Sequence, residues 1–281
     1  MTAPVNIRAR RRAFAQLHES GCFAIPNPWD PGSAKYLQKL GFQAVATTSS
    51  GAAWRHGKAD GQMTIEEVLV HLQEIVDATD LPVNADFEAG HAEDAAGVAR
   101  NVRRAVATGV AGLSIEDSTG RPDAPLRDLA TSVERIRAAR AAIDESGGDT
   151  LLVGRAENFI VGHPDLDDVI ERLRAYAAAG ADCVYAPGIE TREQITAVVT
   201  AVAPTPVNLL VWKAGELTMK DIAALGVRRV SVGGALARTA WGGVMRAAQA
   251  LANEGTFDGF RGAATGVELN GLFQQKDAKA P

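Results

Sequence analysis

Apolar residues follow two alternating rhythms along this chain. Short β-rich runs occupy about residues 21–26, 43–48, 81–86, 111–116, 150–155, 182–187, 206–212 and 227–232. Between them, helical patterns cover about 32–40, 64–78, 92–108, 128–146, 165–180, 191–203, 218–225 and 234–253. The first set predicts strands and the second predicts helices. An extra helix, about 5–19, precedes the first strand. One joint recurs at Leu40-Gly41, Thr108-Gly109, Ala179-Gly180 and Leu225-Gly226, each followed at once by a β run. Glycine just past a helix end supplies the left-handed residue that closes it. Thr64, Thr131 and Thr191 are expected to cap the helices that follow them.

Eight alternating units predict an α/β fold of the (β/α)8, TIM-type barrel kind. The competing open, doubly wound sheet usually carries a Gly-rich dinucleotide turn after its first strand. Here that turn reads Pro26-Asn27-Pro28-Trp29-Asp30-Pro31. No domain boundary is visible, so residues 1–281 are read as a single barrel domain with its core at about 20–258. The tail from 263 reads as a separate arm, with 274–281 expected to be disordered.

Apolar content of 46% is ample for a large core. The net charge of −5, with no basic cluster beyond Arg8–Arg12, argues against nucleic acid as the main partner. No run of 18 apolar residues suggests a membrane span, and no signal-peptide core is present. Cys22 and Cys183 read as two buried thiols. A cytoplasmic enzyme is expected.

In such a barrel, chemistry belongs at the C-terminal ends of the strands. Four strand ends there carry acids or other polar groups: Thr47–Gly51, Asn84–Asp86, Ser114–Asp117 and Val153–Glu157. Converging oxygen ligands with one arginine suit Mg²⁺ and an anionic substrate. Asp86 is a candidate metal ligand, or else a helix cap, and Asn84 faces the same side of its strand. Glu116 and Asp117 point to opposite faces, so one of them enters the site; Glu116 has the longer reach, and Asp117 could anchor the loop. Arg155 is either a bidentate anion ligand or a structural partner of Glu157 or Glu116. Ser50-Gly51 can hold a carboxylate or form a plain turn. Asp60 is a loop acid or an Asp-Gly turn, with His56 as a competing acid/base. Ser231-Val232-Gly233-Gly234 could bind phosphate or simply allow close packing, and Arg238 could reach the rim.

Asn27-Pro-Trp-Asp30, Thr48-Ser-Ser50-Gly51, Asp60-Gly61, Asn84-Ala-Asp86, Ile115-Glu116-Asp117, Gly154-Arg155-Ala156 and Gly233-Gly234-Ala-Leu-Ala-Arg238 occur in an order that resembles the isocitrate lyase/phosphoenolpyruvate mutase superfamily, over about 12–258. The chain looks like a phosphonomutase-like member. The resemblance implies that Ser50 and Gly51 contact a substrate carboxylate, and that Asp60 is the loop acid near the metal. Asp86 and Glu116 would hold Mg²⁺, with Mn²⁺ as a substitute, directly or through water, and Asn84 through water. Arg155 would bind the oxo/carboxylate end of the substrate, and Asn208 would contact it. A dimer or tetramer exchanging the helix at 234–253 is also implied.

Two departures matter. The usual Asp-x-Asp is here Asn84-Ala-Asp86, one charge fewer. The Lys-Arg/Lys-Cys-Gly-His loop of many of the C–C lyases is here Asp117-Ser-Thr-Gly-Arg-Pro-Asp123, which disfavours isocitrate and methylisocitrate cleavage. The expected activity is therefore a Mg²⁺-dependent carbon–carbon lyase or decarboxylase on a small 2-oxo or 2-hydroxy carboxylate, through a metal-stabilised enolate. Three alternatives stand beside it. One is phosphorus–carbon mutase or hydrolase chemistry with Asp60 as nucleophile. Another is a non-catalytic metabolite-binding barrel. The third is a phosphosugar aldolase or isomerase, for which Lys213 is the weak candidate catalytic lysine.

Overall fold

A computed structural model of the chain describes residues 6–274. The strands are β1 Phe23–Ile25, β2 Val45–Ala46, β3 Val83–Asp86, β4 Gly112–Glu116, β5 Leu151–Arg155, β6 Cys183–Tyr185, β7 Val207–Leu210 and β8 Arg229–Ser231. They form one parallel sheet in the order β1-β8-β7-β6-β5-β4-β3-β2, a nearly closed TIM-type barrel. All eight predicted strands are present, each trimmed at one or both ends. The helices are α1 Ile7–Leu17, α2 Pro31–Lys39, α3 Ser49–Arg55, α4 Ile65–Ala78, α5 Ala95–Ala107, α6 Leu129–Glu145, α7 Leu166–Ala178, α8 Arg192–Val202, α9 Met219–Ala224, α10 Ala235–Glu254 and α11 Gly266–Phe273.

The seam between β1 and β2 has no ladder, and Asn27 ties it together. Its side-chain amide donates to Thr47 O at 2.8 Å, and its oxygen accepts from Val232 and Gly233 N–H at 2.9 Å each. The backbone adds Ala46 N–H to Pro26 O at 3.0 Å. One buried amide therefore links the ends of three strands.

The base of the barrel is plugged by α1. Phe14 is fully buried there with Phe23, Ile25, Ala44, Ala46 and Ala111, a burial that stabilises by about 1.5–3 kcal/mol for the phenylalanine alone. Thr64 and Thr191 form full capping boxes with Glu67 and Gln194. Thr131 does not cap α6. Asp128 does, accepting the Thr131 N–H at 2.8 Å and its hydroxyl at 2.7 Å. The helix begins three residues earlier than a Thr131 cap requires, because Asp128 reaches the third helical amide.

Two helices were not anticipated. Ser49–Arg55 reads as a polar turn, yet Thr48 caps it and it continues the chain from β2. The tail also folds, as α11, and Phe273 packs on α2: its ring lies 3.5 Å from where a Cβ on Gly32 would stand. Of the stretch expected to be disordered, Gln274 follows α11, and 275–281 lie outside the described residues. No helix among the described residues is long and apolar enough to cross a membrane. One face of α10 leaves Trp241, Val244 and Met245 exposed.

Candidate active site

A cavity of about 340 Å³ opens at the C-terminal ends of the strands. Ser50, Asp60, Asn84, Asp86, Arg155, Asn208 and Arg238 all line it, so one rim collects residues from five separate strand–loop units. A larger groove of about 370 Å³ lies beside it, between the loops after β6 and β7, and holds none of these acids. The rim cavity is where the charged groups converge, so chemistry is argued there.

Arg155 is the hub. Its Nη1 lies 3.2 Å from both Asp86 Oδ1 and Glu116 Oε2, and its Nε donates to Glu157. The guanidinium stacks over Tyr185 at 5.1 Å. The structural pairing considered for this arginine is thus present, with three acids. Burial opposes its charge, but Glu157, Glu116 and Asp86 outweigh that and hold its pKa above the ordinary arginine value.

Asp86 is fixed from behind. Its Oδ2 accepts the Ser49 N–H at 2.9 Å, and its own N–H donates to the Thr47 hydroxyl at 2.9 Å. It caps no following helix; Asp94 caps α5. The carboxylate therefore sits at the first turn of α3, where the helix dipole favours an anion. Gly51 does not line the cavity. Its N–H is engaged by the Thr48 hydroxyl at 3.3 Å, and a Cβ there would meet Thr48 Cγ2 at 2.6 Å. The Ser50 N–H makes no hydrogen bond among the described residues, and Ser50 faces the cavity.

Glu116 and Asp117 separate as strand parity requires. Glu116 turns inward to Arg155. Asp117 is almost fully buried on the other side and accepts from the Glu157 N–H (2.8 Å), Arg172 Nη1 (3.1 Å) and the Tyr176 hydroxyl (2.6 Å). It anchors the strand end. The loop after β4 folds back as a small hairpin through a Ser118–Leu126 bridge and does not line the cavity.

Asn84 stands one layer below Asp86. Its Oδ1 accepts from Arg229 Nη1 at 3.2 Å, and its Nδ2 donates to Ala85 O at 3.1 Å. Asn208 likewise accepts from Arg229 Nε at 2.8 Å and donates to Ser231 Oγ at 3.0 Å. Both amides line the cavity through this inner network. Asp60 lies on an exposed loop at the mouth, and Arg238 is an exposed cation on α10 with no ion pair among the described residues.

Sequence reasoning missed Glu88. It follows Asp86 by two residues, in a left-handed conformation (φ 46°) that a glutamate rarely adopts. Arg135 holds the turn, donating to the carbonyls of Ala89, Ala92 (2.8 Å) and Glu93 (2.7 Å). Burial pushes the Glu88 carboxyl up to about 7, with the Asp86 and Asp60 charges adding to the effect. An acid–x–acid spacing thus exists as Asp86-Phe87-Glu88, two residues beyond Asn84-Ala85-Asp86. His91 shares the left-handed backbone at φ 49°.

Burial raises Glu116, with Glu157, Asp86 and Glu88 adding to it against Arg155. Burial also raises Asp60, reinforced by the Asp86 charge. Three acids thus share one guanidinium, with Glu88 and Asp60 within reach of its charge, an arrangement that favours a further cation. Among the described residues no three acids, thiols or imidazoles form a ready inner-sphere cage. Mg²⁺ keeps several waters and takes one or two carboxylates, so an oxygen-only set around Asp86 and Glu116 fits it.

The family model described as phosphoenolpyruvate phosphomutase matches residues 14–252. An oxaloacetate decarboxylase of Bradyrhizobium sp. is 31% identical over 280 residues, covering 95% of this chain and 91% of that protein. A Burkholderia cenocepacia crystal structure, provisionally described as a lyase/mutase, superposes with a TM-score of 0.93 at 44% identity, covering 97% and 99% of the two chains. A phosphonopyruvate hydrolase solved with oxalate and Mg²⁺ superposes with a TM-score of 0.83 at 25% identity, covering 94% of each.

Proposed function

The chain belongs to the phosphoenolpyruvate mutase/isocitrate lyase superfamily, and on that premise we propose that it is a divalent-metal-dependent carbon–carbon lyase or decarboxylase acting on a small 2-oxo or 2-hydroxy carboxylate. The observation that carries this reading is Arg155 beside Asp86 on the wall of the rim cavity, with Glu116 and Glu157 packed against the same guanidinium. Asp86 and Glu116, with Glu88 behind them, would hold Mg²⁺ or Mn²⁺. When bound, the ion supplies Lewis-acid polarisation of the substrate carboxylate and the oxygen beside it.

The chain's own groups do the rest. The Ser50 amide and hydroxyl orient the carboxylate at the first turn of α3. Arg155 faces the oxo end and stabilises the negative charge that develops there as the carbon–carbon bond breaks. In decarboxylation the bonding pair stays on the carbon that loses CO₂, giving an enolate, and a proton then returns to that carbon. No cysteine stands at this rim. The proton comes from water or from a rim acid such as Asp60. Incubation with oxaloacetate and a panel of related 2-oxo diacids, with and without Mg²⁺, tests the reading by release of pyruvate or the matching 2-oxo acid. Metal-dependent turnover above the buffer rate is expected; none across the panel rejects it.

The similarity to a phosphonopyruvate hydrolase, with Asp60 at the cavity, keeps phosphorus–carbon cleavage as the second reading. Phosphorus NMR on phosphonopyruvate decides between them. The exposed apolar row on α10 supports self-association through that helix. Trp241→Glu is expected to lower the mass seen by light scattering, and an unchanged mass rejects that interface.

A further inference from the structure

Arg229 begins β8 and points into the barrel, one layer below the rim acids. It is 3% exposed, and the barrel wall surrounds it. Its partners are all neutral. Nε donates to Asn208 at 2.8 Å, Nη1 donates to Asn84 at 3.2 Å and meets His18 Nε2 at 3.5 Å, and the Phe14 ring lies 6.0 Å below. His18 is neutral. Its Nδ1–H is held by Phe14 O at 2.8 Å, and burial and the Arg229 charge push its pKa down to about 3. Cys183 and Tyr185 are held protonated by burial. No carboxylate ion-pairs with Arg229 among the described residues, and its Nη2 makes no hydrogen bond there.

A guanidinium buried among neutral groups is costly unless an anion compensates it. Arg172, by contrast, is buried against Asp117 and Asp168. Arg229 also lines the cavity that carries Asp86 and Arg155. Asn84, where an acid would neutralise it, is an amide that accepts from Arg229. The inner layer is therefore cationic while the rim is acidic, and a cavity of about 340 Å³ connects them.

We propose that Arg229, framed by Asn84, Asn208 and Ser231, is the residue that binds the distal carboxylate of the substrate, which enters with that end directed into the barrel. This rests on the proposed reading of the rim, where the oxo- or hydroxy-acid end binds, and adds the residue that recognises the other end. Ser231 accepts from Asn208, so its own proton is free to donate to the same anion. The planar fork of arginine matches a carboxylate in bidentate geometry.

The test compares L-malate with the analogue whose C4 carboxylate is an amide, by calorimetric titration of the full Mg²⁺-loaded chain. The two ligands share the 2-hydroxy-acid end and differ only in the distal charge. Malate is expected to bind at least tenfold tighter than the amide, and Arg229→Gln is expected to bring the two affinities together. Equal affinity in the unaltered chain, or none for malate, overturns the proposal, so the outcome does not depend on the variant folding. An unchanged malate preference in a folded Arg229→Gln chain also overturns it. A third arm replaces the distal carboxylate with a phosphonate; tighter binding of that ligand overturns the carboxylate assignment in favour of a phosphonate. Failure of the lyase reading is distinguishable: an Arg229-dependent malate preference without turnover of any 2-oxo diacid leaves this subsite standing.

Discussion

Replacing Arg155 with methionine removes the one guanidinium that contacts Asp86, Glu116 and Glu157 among the described residues, while nearly keeping its apolar stem. The three carboxylate side chains are 18%, 14% and 4% exposed, so solvent screens them little. Breaking a buried ion pair by removing one partner costs about 3–5 kcal/mol, and the partial exposure of two of these acids puts the loss near the lower figure. The loss has a definite pH signature. Burial already raises Glu116 and Glu157 above the ordinary glutamate value, and Arg155 is the group that pulls both back down. Without it they rise further. The folded variant then binds protons that the unfolded chain has released, so its stability increases as pH falls toward the ordinary glutamate value. The slope is about 1.4 kcal/mol per pH unit for each carboxyl involved. Urea unfolding of both proteins at pH 8, 7 and 6 measures this. The deficit should be largest at pH 8 and shrink toward pH 6. A deficit below about 1 kcal/mol, or one that does not change with pH, would refute the electrostatic account of the cluster.

Glu88→Gln should weaken Mg²⁺ binding about tenfold or more, read by calorimetry; unchanged affinity removes Glu88 from the site. Gly51→Ala places a methyl 2.6 Å from Thr48 Cγ2 and 2.9 Å from Trp29 Cβ, so about 1–3 kcal/mol of stability should be lost, visible as a lower Tm. His71 is buried with no hydrogen bond to either nitrogen, and burial, with the Arg55 charge adding to it, pushes its pKa down to about 4. The unfolded chain therefore takes up a proton first, and stability falls as pH drops from 6.5 toward 4. His71→Leu should flatten that acid-side slope, and an unchanged slope would count against the assignment.

The barrel was legible because its joints are local. Gly41, Gly109, Gly180 and Gly226 all adopt the left-handed conformation that ends a helix, and each marks a strand about to begin. Helix α3 was not legible. Its first turn, Ser49-Ser50-Gly51, carries turn-forming residues, and only the fit of Gly51 against Thr48 and Trp29 makes a helix the better use of them. At the site, Asp86 and Glu116 could be found because each ends an apolar run. Glu88 lies beyond the strand, on a backbone that only the tertiary grip of Arg135 sustains. Arg229 was hidden for a similar reason. An arginine in Val227-Arg228-Arg229-Val230 reads as solvated, and only barrel closure turns one of the pair inward.

The most direct test of the central claim is titration of oxalate, an enolate mimic, into the chain with Mg²⁺ and again after metal removal by chelation. Rim acids that hold a divalent ion beside Arg155 predict oxalate binding only with Mg²⁺, weakened at least tenfold in Asp86→Asn and in Glu116→Gln. Oxalate affinity that ignores the metal, or that survives both substitutions, would contradict it.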